Sequence, residues 1–415
     1  MAASSYAEVS IDAELDYEGA VYFNDSLNPA IDQNVNNSVS AEMEMYTEWA
    51  DGTQSLTFKP FYRYDEMDDE RTHGDIRELM WHQVADEYEL KVGIGKVFWG
   101  VTESAHLVDI VNQTDSVESL DGEEKLGQPM VQLLIERDWG NLDLFVLPYH
   151  RERTFAGPDA RLSTGLAMGD AIYESGDEEN NIDVAARFYS YVDDFEYAVS
   201  AFHGNSRDPS LGYDFVANEM VPYYAEITQL GIEIQYLFDG WAWKLEAVHR
   251  EGMPEIFAFE VTGASDSLNT DCLTCLVSNP YPGVSVVSKD KSYFATVAGF
   301  EYTQVGIFET RWDLGWVAEH LYDSRQEDVS FGAFEHDLLL GTRWVANDEA
   351  SSELLAGILY DYEYQDYSLS LEGNTRIMNG LSLELEARIF APANDNPQFD
   401  FRDEDFVKLT LTYYL

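Results

Sequence analysis

The sequence is poor in cations. Its 415 residues include 24 Lys and Arg against 78 Asp and Glu, so the formal net charge at pH 7 is −54. A nucleic-acid partner is therefore not expected, because neutralising phosphates requires a basic surface. Direct docking on an anionic lipid surface is disfavoured for the same reason.

Long apolar runs and cysteines are also scarce. No apolar run reaches the roughly 18 residues that a transmembrane helix needs, so none is predicted. The two cysteines, Cys272 and Cys275, stand in the segment DCLTC, and no second CxxC or His pair completes a zinc site with them. A local disulfide is the preferred interpretation, and two free thiols are the alternative.

Signatures of catalysis are absent too. The sequence contains no G-x-S-x-G, no HExxH and no phosphate-binding loop, and its eight histidines are scattered. His106, close to Glu103 and Asp109, is interpreted as a hydrogen-bonding residue rather than a general base. No enzyme is predicted, and a membrane-barrel hydrolase is kept as a minor alternative.

What the sequence has is alternation with a period of two. In 381–389 (LSLELEARI) and 241–247 (WAWKLEA) every second residue is apolar, as in strands with one apolar face. Such segments are about ten residues or longer, whereas ordinary strands have five or six. Aromatic residues, 14% of the chain, favour strands and membrane interfaces. Rings predicted to form interfacial girdles are Tyr236, Trp241, Trp243, Trp312, Trp316 and Tyr413.

Eighteen such strands are predicted, joined alternately by short turns and long polar connections. The short turns carry hairpin residues such as Asp51-Gly52 and Asn379-Gly380. This alternation is the layout of an outer-membrane barrel, with both termini at the short-turn rim. Because the connection at 360–366 is too short for its rim, sixteen strands are the alternative. The predicted strands are 6–22, 38–50, 54–64, 76–85, 87–96, 130–138, 141–149, 182–192, 194–203, 222–238, 241–250, 291–303, 306–321, 335–346, 351–363, 366–373, 380–390 and 404–415.

The layout resembles that of the Gram-negative porins over nearly the whole chain. The long alternating strands, the third long connection and the final strand FVKLTLTYYL carry the resemblance, although that strand ends on Leu415 rather than on Phe. The resemblance implies one all-β domain over 1–415, a transmembrane antiparallel up-and-down barrel in the outer membrane of a Gram-negative bacterium, with its termini in the periplasm. It further implies passive diffusion of small polar solutes and ions, contact with the bilayer and lipopolysaccharide, and the homotrimer that porins often form.

Two connections stand out for their length. The connection 97–129 begins with apolar residues and continues with acidic ones, so it is predicted to fold into the barrel as a constriction loop. An ordinary surface loop is the alternative. The connection 251–290, which holds the two cysteines, is predicted to be a long extracellular loop.

Charged residues are predicted to meet at the constriction loop. Porins of this layout oppose a basic wall of the lumen with loop carboxylates, and the alternation places several cations on neighbouring strands. Opposed charges in a narrow pore create a transverse field that orients dipolar solutes. Salt bridges that merely hold the loop are a compatible alternative. The residues predicted to line the constriction are Lys59, Arg63, Arg77, Lys91, Asp109, Asp115, Glu118 and Asp121.

The excess of carboxylates predicts a pore that prefers cations. The competing interpretation places most acids on outer loops, where they adapt the chain to salty water. One loop cluster offers oxygens to a structural Ca²⁺, although its spacing matches no EF-hand, and no other cofactor is predicted. The ligands considered are Asp170, Glu174, Asp177 and Glu178.

Three other kinds of protein fit parts of the pattern. A barrel scaffold that anchors or sheathes a partner protein would have an occupied lumen and no conductance. A barrel enzyme would lose its activity on a single His or Ser change. A secreted soluble β-protein with an acidic coat would keep its apolar side chains inside and stay monomeric without detergent.

Overall fold

A computed structural model describes most of the chain. The described residues are 9–28, 31–119, 122–163, 165–214, 217–254, 258–261, 284–287, 290–325, 334–393 and 401–415. Asp121, Cys272 and Cys275 lie outside them, as does most of the predicted extracellular loop 251–290. The disulfide and the pore-lining role of Asp121 therefore stay predictions.

Eighteen strands of the described chain form one barrel, so the alternative of sixteen is wrong. Each strand is antiparallel to its neighbours, and the first pairs with both the second and the last, with Leu15 opposite Tyr413, which closes the sheet. The strands are β1 (Val9–Tyr22), β2 (Val35–Trp49), β3 (Gln54–Asp65), β4 (Gly74–Val84), β5 (Tyr88–Gly95), β6 (Gln128–Arg137), β7 (Gly140–Leu147), β8 (Asp183–Val192), β9 (Phe195–Asn205), β10 (Glu226–Phe238), β11 (Trp241–Pro254), β12 (Asp290–Gln304), β13 (Asp313–Asp323), β14 (His336–Val345), β15 (Glu353–Asp361), β16 (Asp366–Met378), β17 (Leu381–Ala391) and β18 (Phe406–Tyr414).

Connection lengths alternate around the barrel as predicted. They are short at one rim and reach residues 96–127 and 148–182 at the other. The exception is the hairpin between β15 and β16, which is short although it lies at the long-loop rim. There Asp361 Oδ1 accepts hydrogen bonds from the backbone N–H groups of Glu363 and Tyr364, and this Asp-centred turn closes the hairpin directly.

Side chains are sorted in the opposite sense to those of a soluble sandwich. On β10, Leu230 and Ile232 are 54% and 47% exposed, whereas the neighbouring Gln229 and Glu233 are 1% and 2% exposed. The apolar face of the sheet therefore points outward and the polar face inward. Such a surface suits hydrocarbon and not water, which excludes the secreted soluble β-protein.

Exposed aromatic rings gather near the short-turn rim. Tyr236, Trp243, Trp316 and Tyr413 project from outer faces close to the short turns. Trp241 stacks on Trp243, with their ring centroids 5.8 Å apart. These amphipathic rings lie where a girdle at headgroup depth is expected.

The predicted strand 306–321 is wrong in its first part. Ile307–Glu309 forms a 3-10 turn, and β13 begins only at Asp313. Phe308 has a φ of 56°, outside the range of a strand, and the Asp313 carboxylate accepts a hydrogen bond from the Gly306 backbone N–H. The alternating pattern therefore runs through a turn that is closed by its own Asp.

The predicted strand 222–238 is divided in two. Only its second part, β10, belongs to the barrel. The first part lies in a small mixed sheet at the long-loop rim, and another two-stranded pair is separate from both. The short strands are Ala167–Met168, Ile172–Tyr173, Ser210–Asp214, Glu219–Tyr224, Ala258–Val261 and Val284–Val287. Among the described residues no helix has the length and apolar character to cross a membrane.

Candidate functional site

The connection between β5 and β6, residues 96–127, crosses the inside of the barrel, and we call it the crossing segment. The backbone N–H groups of Thr102 and Ser104 near its tip donate to the inward-facing carboxylates of Glu246 on β11 (3.0 Å) and Glu319 on β13 (2.8 Å). β5 and β13 lie eight strands apart in a ring of eighteen. The segment therefore runs from one wall nearly to the opposite one.

Apolar packing holds the first half of the crossing segment. Trp99, Val108 and Ile110 are at most 1% exposed and belong to one buried cluster with Phe145 and Phe202 of the inner wall. The Trp99 and Phe145 rings meet edge to face, with centroids 5.7 Å apart. Full burial of one such side chain contributes about 1.5–3 kcal/mol, so apolar packing anchors this half in addition to the polar contacts of its tip.

Two glycines make room for this half. A Cβ on Gly231, on the inner face of β10, would lie 3.1 Å from Val108 Cγ1. Gly100 has a φ of 142°, and a Cβ there would lie 3.0 Å from Glu246 Oε1. A side chain at either glycine would therefore push the segment away from the wall, and at Gly100 it would also strain the backbone.

Buried ion pairs hold the second half. Asp115 Oδ2 is 2.8 Å from Arg77 Nη1, and Glu118 Oε2 is 2.9 Å from Arg63 Nη2. The four side chains are at most 9% exposed, and the Thr154 hydroxyl also donates to Asp115. These four residues, all among those predicted for the constriction, lie together. Because they are in direct contact, they fasten the segment to the wall instead of facing each other across an open gap.

The other residues predicted for the constriction lie elsewhere. Lys59 pairs with Glu44 of the neighbouring strand at 2.9 Å, and Asp109 faces Lys125 of its own segment at 3.5 Å. No ion pair joins Lys91 to a residue in the described ranges. The prediction that all these charges oppose one another at one place is therefore wrong for Lys59 and Asp109, because each finds a partner on its own side.

His106 is a cation within the crossing segment. Its Nε2 is 3.0 Å from Glu123 Oε1, and its Nδ1 is 3.9 Å from Glu246 Oε1. Burial lowers the pKa of His106, but the two carboxylates outweigh burial and raise the pKa to about 10. A general base at neutral pH would have to be unprotonated, so the hydrogen-bonding interpretation of this residue agrees with the geometry.

Wall residues that anchor the tip were not singled out by the sequence. Lys244 and Arg343 bind the two carboxylate oxygens of Glu103 at 3.3 and 2.8 Å. The alternation of apolar and polar residues places Lys244, Glu246 and Glu319 on the polar faces of their strands, so the sequence predicts that they point into the barrel. It does not predict their partners, because contacts across a barrel leave no local pattern in the sequence.

The acidic loop cluster proposed for calcium does not converge. Glu174 accepts a hydrogen bond from the Glu226 backbone N–H, and Glu178 belongs to a short 3-10 turn. Within the part of the chain that the structure describes, no three His, Cys, Asp or Glu side chains are arranged to hold a metal ion. Asp170, Glu174, Asp177 and Glu178 therefore do not fit a Ca²⁺ in this arrangement.

The crossing segment divides the barrel wall into two arcs. The dry arc, β6 to β12, contributes most of the apolar cluster that packs on the segment. The wet arc runs from β14 to β18 and on through β1 to β4. Its inner face keeps partly exposed charges, with side-chain exposures of 42% for Glu44, 40% for Glu372 and 28% for Lys59. Water therefore reaches the inner face of the wet arc.

Closure of the sheet, the outward apolar faces and the water-reached charged wall inside belong to one architecture. This is a porin-like barrel. Its constriction candidate is the crossing segment, which lies where the sequence places the third long connection.

Comparisons with known proteins agree in shape only. No family model matches the chain, and no curated protein matches it. Among solved structures, an in-vitro folded trimer form of OmpT, an outer membrane protein of Vibrio cholerae, is 12% identical with a TM-score of 0.47, covering 99% of this chain and 100% of that one. A triple mutant of Rh. blastica porin is 10% identical with a TM-score of 0.43, covering 98% and 100%. At these values the likeness assigns no activity.

Proposed function

We propose that the protein is a passive diffusion channel for small polar solutes and ions in the outer membrane of a Gram-negative bacterium, with its termini in the periplasm. One observation carries the proposal: charged side chains inside the barrel are partly exposed, while the outside is apolar. Glu44 and Lys59 could not keep 42% and 28% of their side-chain surface exposed in a dry interior. The wet arc is the proposed passage.

The crossing segment is the proposed constriction. The pairs Asp115–Arg77 and Glu118–Arg63 are mutually neutralised, so their part is to fix the segment. Charges that remain partly exposed beside the passage, such as Lys59, act on solutes directly. The transverse field is then weaker than eight facing charges would produce, because four of them are consumed in contacts.

Carboxylates on the wet arc favour a preference for cations. Glu14 and Asp16 on β1, Glu42 and Glu44 on β2, and Glu384 on β17 share the inner face. Lys59 lies within salt-bridge distance of both Glu42 and Glu44, at 3.6 and 2.9 Å. Fixed negative charge raises the local concentration of cations and excludes anions.

The test is the reversal potential of the reconstituted protein in a KCl gradient. We expect the reversal potential to have the same sign as the K⁺ equilibrium potential. In the variant Glu42→Gln/Glu44→Gln the reversal potential should shift towards zero, because two fixed negative charges are removed. Tyr413→Phe, on the outer face, is the control and should leave the potential unchanged. A reversal potential with the sign of the Cl⁻ equilibrium potential would refute the preference for cations.

A closed barrel that serves as a scaffold is the second candidate, and one observation favours it. Residues 150–162 extend across the long-loop rim above the passage, where Thr154 binds Asp115 and Arg161 binds Glu404 at 2.6 Å. A barrel closed by this stretch would insert into bilayers without conducting. Single-channel recording decides between the two, and size measurement in detergent tests the homotrimer.

A further inference from the structure

One part of the inner wall, from β13 into the wet arc, is aliphatic. Val317 on β13, Leu339 on β14, and Leu355 and Leu359 on β15 form a group that we call the aliphatic strip. Their counterparts on the inner face of β16 are Ser, Asn and Glu. The strip is therefore a local exception on an otherwise polar wall.

Pairing of the strands shows that the strip points into the barrel. Leu339 is directly opposite Glu319, and Leu355 is directly opposite both Arg343 and Glu372. Residues directly opposite in an antiparallel pair share one face of the sheet. Glu319 and Arg343 bind the tip of the crossing segment inside the barrel, so the leucines face the same interior.

Glycines let the strip lie flat against the wall. A Cβ on Gly357 would lie 3.5 Å from Leu339 Cδ1, and a Cβ on Gly341 would lie 3.6 Å from Val317 Cβ. Leu339 and Val317 thus each lie over a glycine of the next strand. Because glycine has no side chain, these two positions add no further bulk to the wall.

The leucines of the strip are not part of a packed core, whereas Val317 at its edge is buried. Leu339, Leu355 and Leu359 are partly exposed, and they belong to neither of the two buried apolar clusters among the described residues. Apolar surface left accessible to water inside a polar lumen carries a free-energy penalty of about 25 cal/mol per Å². Contact with an apolar part of a solute would relieve that penalty.

Charged groups adjoin the strip on the side away from the crossing segment. Glu372 on β16 is the direct neighbour of Leu355 and is 40% exposed, and Glu386 on β17 is the direct neighbour of Glu372. Arg388 lies 2.8 Å from Glu372, and Lys408 lies 2.6 Å from Glu386. A solute moving along this wall therefore meets an apolar surface and a row of paired charges within one or two strand spacings, about 5–10 Å.

We propose that the aliphatic strip favours small organic cations that carry an alkyl group, such as short primary alkylammonium ions. The alkyl group slides on the leucines, while the excess of carboxylates over cations on the wet arc, proposed above, draws the ammonium group into the passage. The inference rests on the proposed channel function and adds the class of solute that this channel favours.

The test compares two cations that differ in one group. Propylammonium and 2-hydroxyethylammonium are similar in size and charge, but only propylammonium ends in a methyl group. Bi-ionic reversal potentials of the reconstituted protein give their relative permeability. We expect propylammonium to be favoured about two- to fourfold, the effect of burying roughly one methyl-sized group.

Variants assign the discrimination to the strip. Leu355→Ser/Leu359→Ser should bring the permeability ratio close to one while K⁺ conductance stays within about twofold, because the wall keeps its shape. Thr410→Ser, on the inner face of β18 outside the strip, is the matched control and should keep the wild-type ratio. Heat-dependent mobility in detergent gels confirms that each variant forms its barrel.

The outcomes separate this inference from the proposed function. If the wild type conducts but its permeability ratio of propylammonium to 2-hydroxyethylammonium is one, the proposed role of the strip is refuted and the channel function is not. A ratio that survives in the double serine variant also refutes the role of the strip, since another surface must then discriminate. If the barrel inserts into bilayers and never conducts, both the channel function and the proposed role of the strip are refuted.

Discussion

The two arcs of the barrel wall differ in what they offer to the crossing segment. The dry arc meets it with Phe145, Phe202 and other buried apolar side chains. The wet arc holds its second half through Arg63 and Arg77 and leaves Glu44 and Lys59 accessible. The dry arc thus holds the segment mainly by hydrophobic burial, with Lys244 and Glu246 binding its tip, whereas the wet arc holds it by charge.

This difference separates two kinds of substitution. Burial does not depend on salt, whereas exposed charges are screened within about 8–10 Å at physiological ionic strength. Changes on the dry arc should therefore loosen the segment under all conditions. Changes to exposed residues of the wet arc should alter the choice of ions with little effect on stability.

The largest effect is expected at Trp99, in the middle of the dry contact. Trp99→Ala removes a ring that is 1% exposed and should cost about 3–5 kcal/mol. The neighbouring Phe98 is 55% exposed, so Phe98→Ala is the matched control and should cost less than about 1 kcal/mol. Thermal unfolding in detergent measures both, and noisier single-channel currents should accompany Trp99→Ala alone. Equal losses in the two variants would mean that the dry contact does not anchor the segment.

A slightly smaller effect is expected from breaking the buried pair on the other side. Arg77→Met keeps much of the volume but leaves the Asp115 carboxylate, which is 0% exposed, without its cation. Removing one partner of a buried pair costs about 3–5 kcal/mol, and the lower end applies because the Thr154 hydroxyl still donates to Asp115. Melting in detergent is the measurement.

The double variant Arg77→Met/Asp115→Asn is the control for that experiment. It removes both charges, so no uncompensated carboxylate stays buried, and it should recover most of the lost stability. If the double variant is as unstable as the single one, the loss comes from packing around Arg77, whose guanidinium carbon lies 4.2 Å from the centre of the Phe61 ring.

Sequence alternation was sufficient for the barrel but not for its contacts. The period of two located all eighteen strands and gave the inward direction of Glu246 and Glu319, because a strand face is a local property. It failed at 306–312, where Asp313 closes a turn through the Gly306 backbone. An Asp can stand in a strand or close a turn, and the pattern of apolar residues does not distinguish the two.

Only some of the partners of the charged residues could be inferred from the sequence. Arg63 and Arg77 contact carboxylates of the crossing segment, but Lys59 pairs with Glu44 on the adjacent strand, about one strand spacing away. Partners of this kind depend on strand register. Partners such as Glu246 for Thr102 depend on where a long segment ends in space, and no spacing in the sequence encodes that.

A pH-dependent effect is expected at His106, which links the crossing segment to Glu246 and to the half-exposed Glu123. Its pKa is raised to about 10 in the fold, above the ordinary value near 6.5. Its contribution to stability is therefore complete below pH 6.5 and is lost progressively as the pH rises to about 10. The melting temperature of the wild type minus that of His106→Gln should be constant below pH 6.5 and shrink towards zero at pH 10, since other titrating groups cancel in the difference. A difference that does not change between pH 6.5 and 10 would show that the imidazolium contributes nothing, and the tip would then be held by the backbone donors to Glu246 and Glu319 alone.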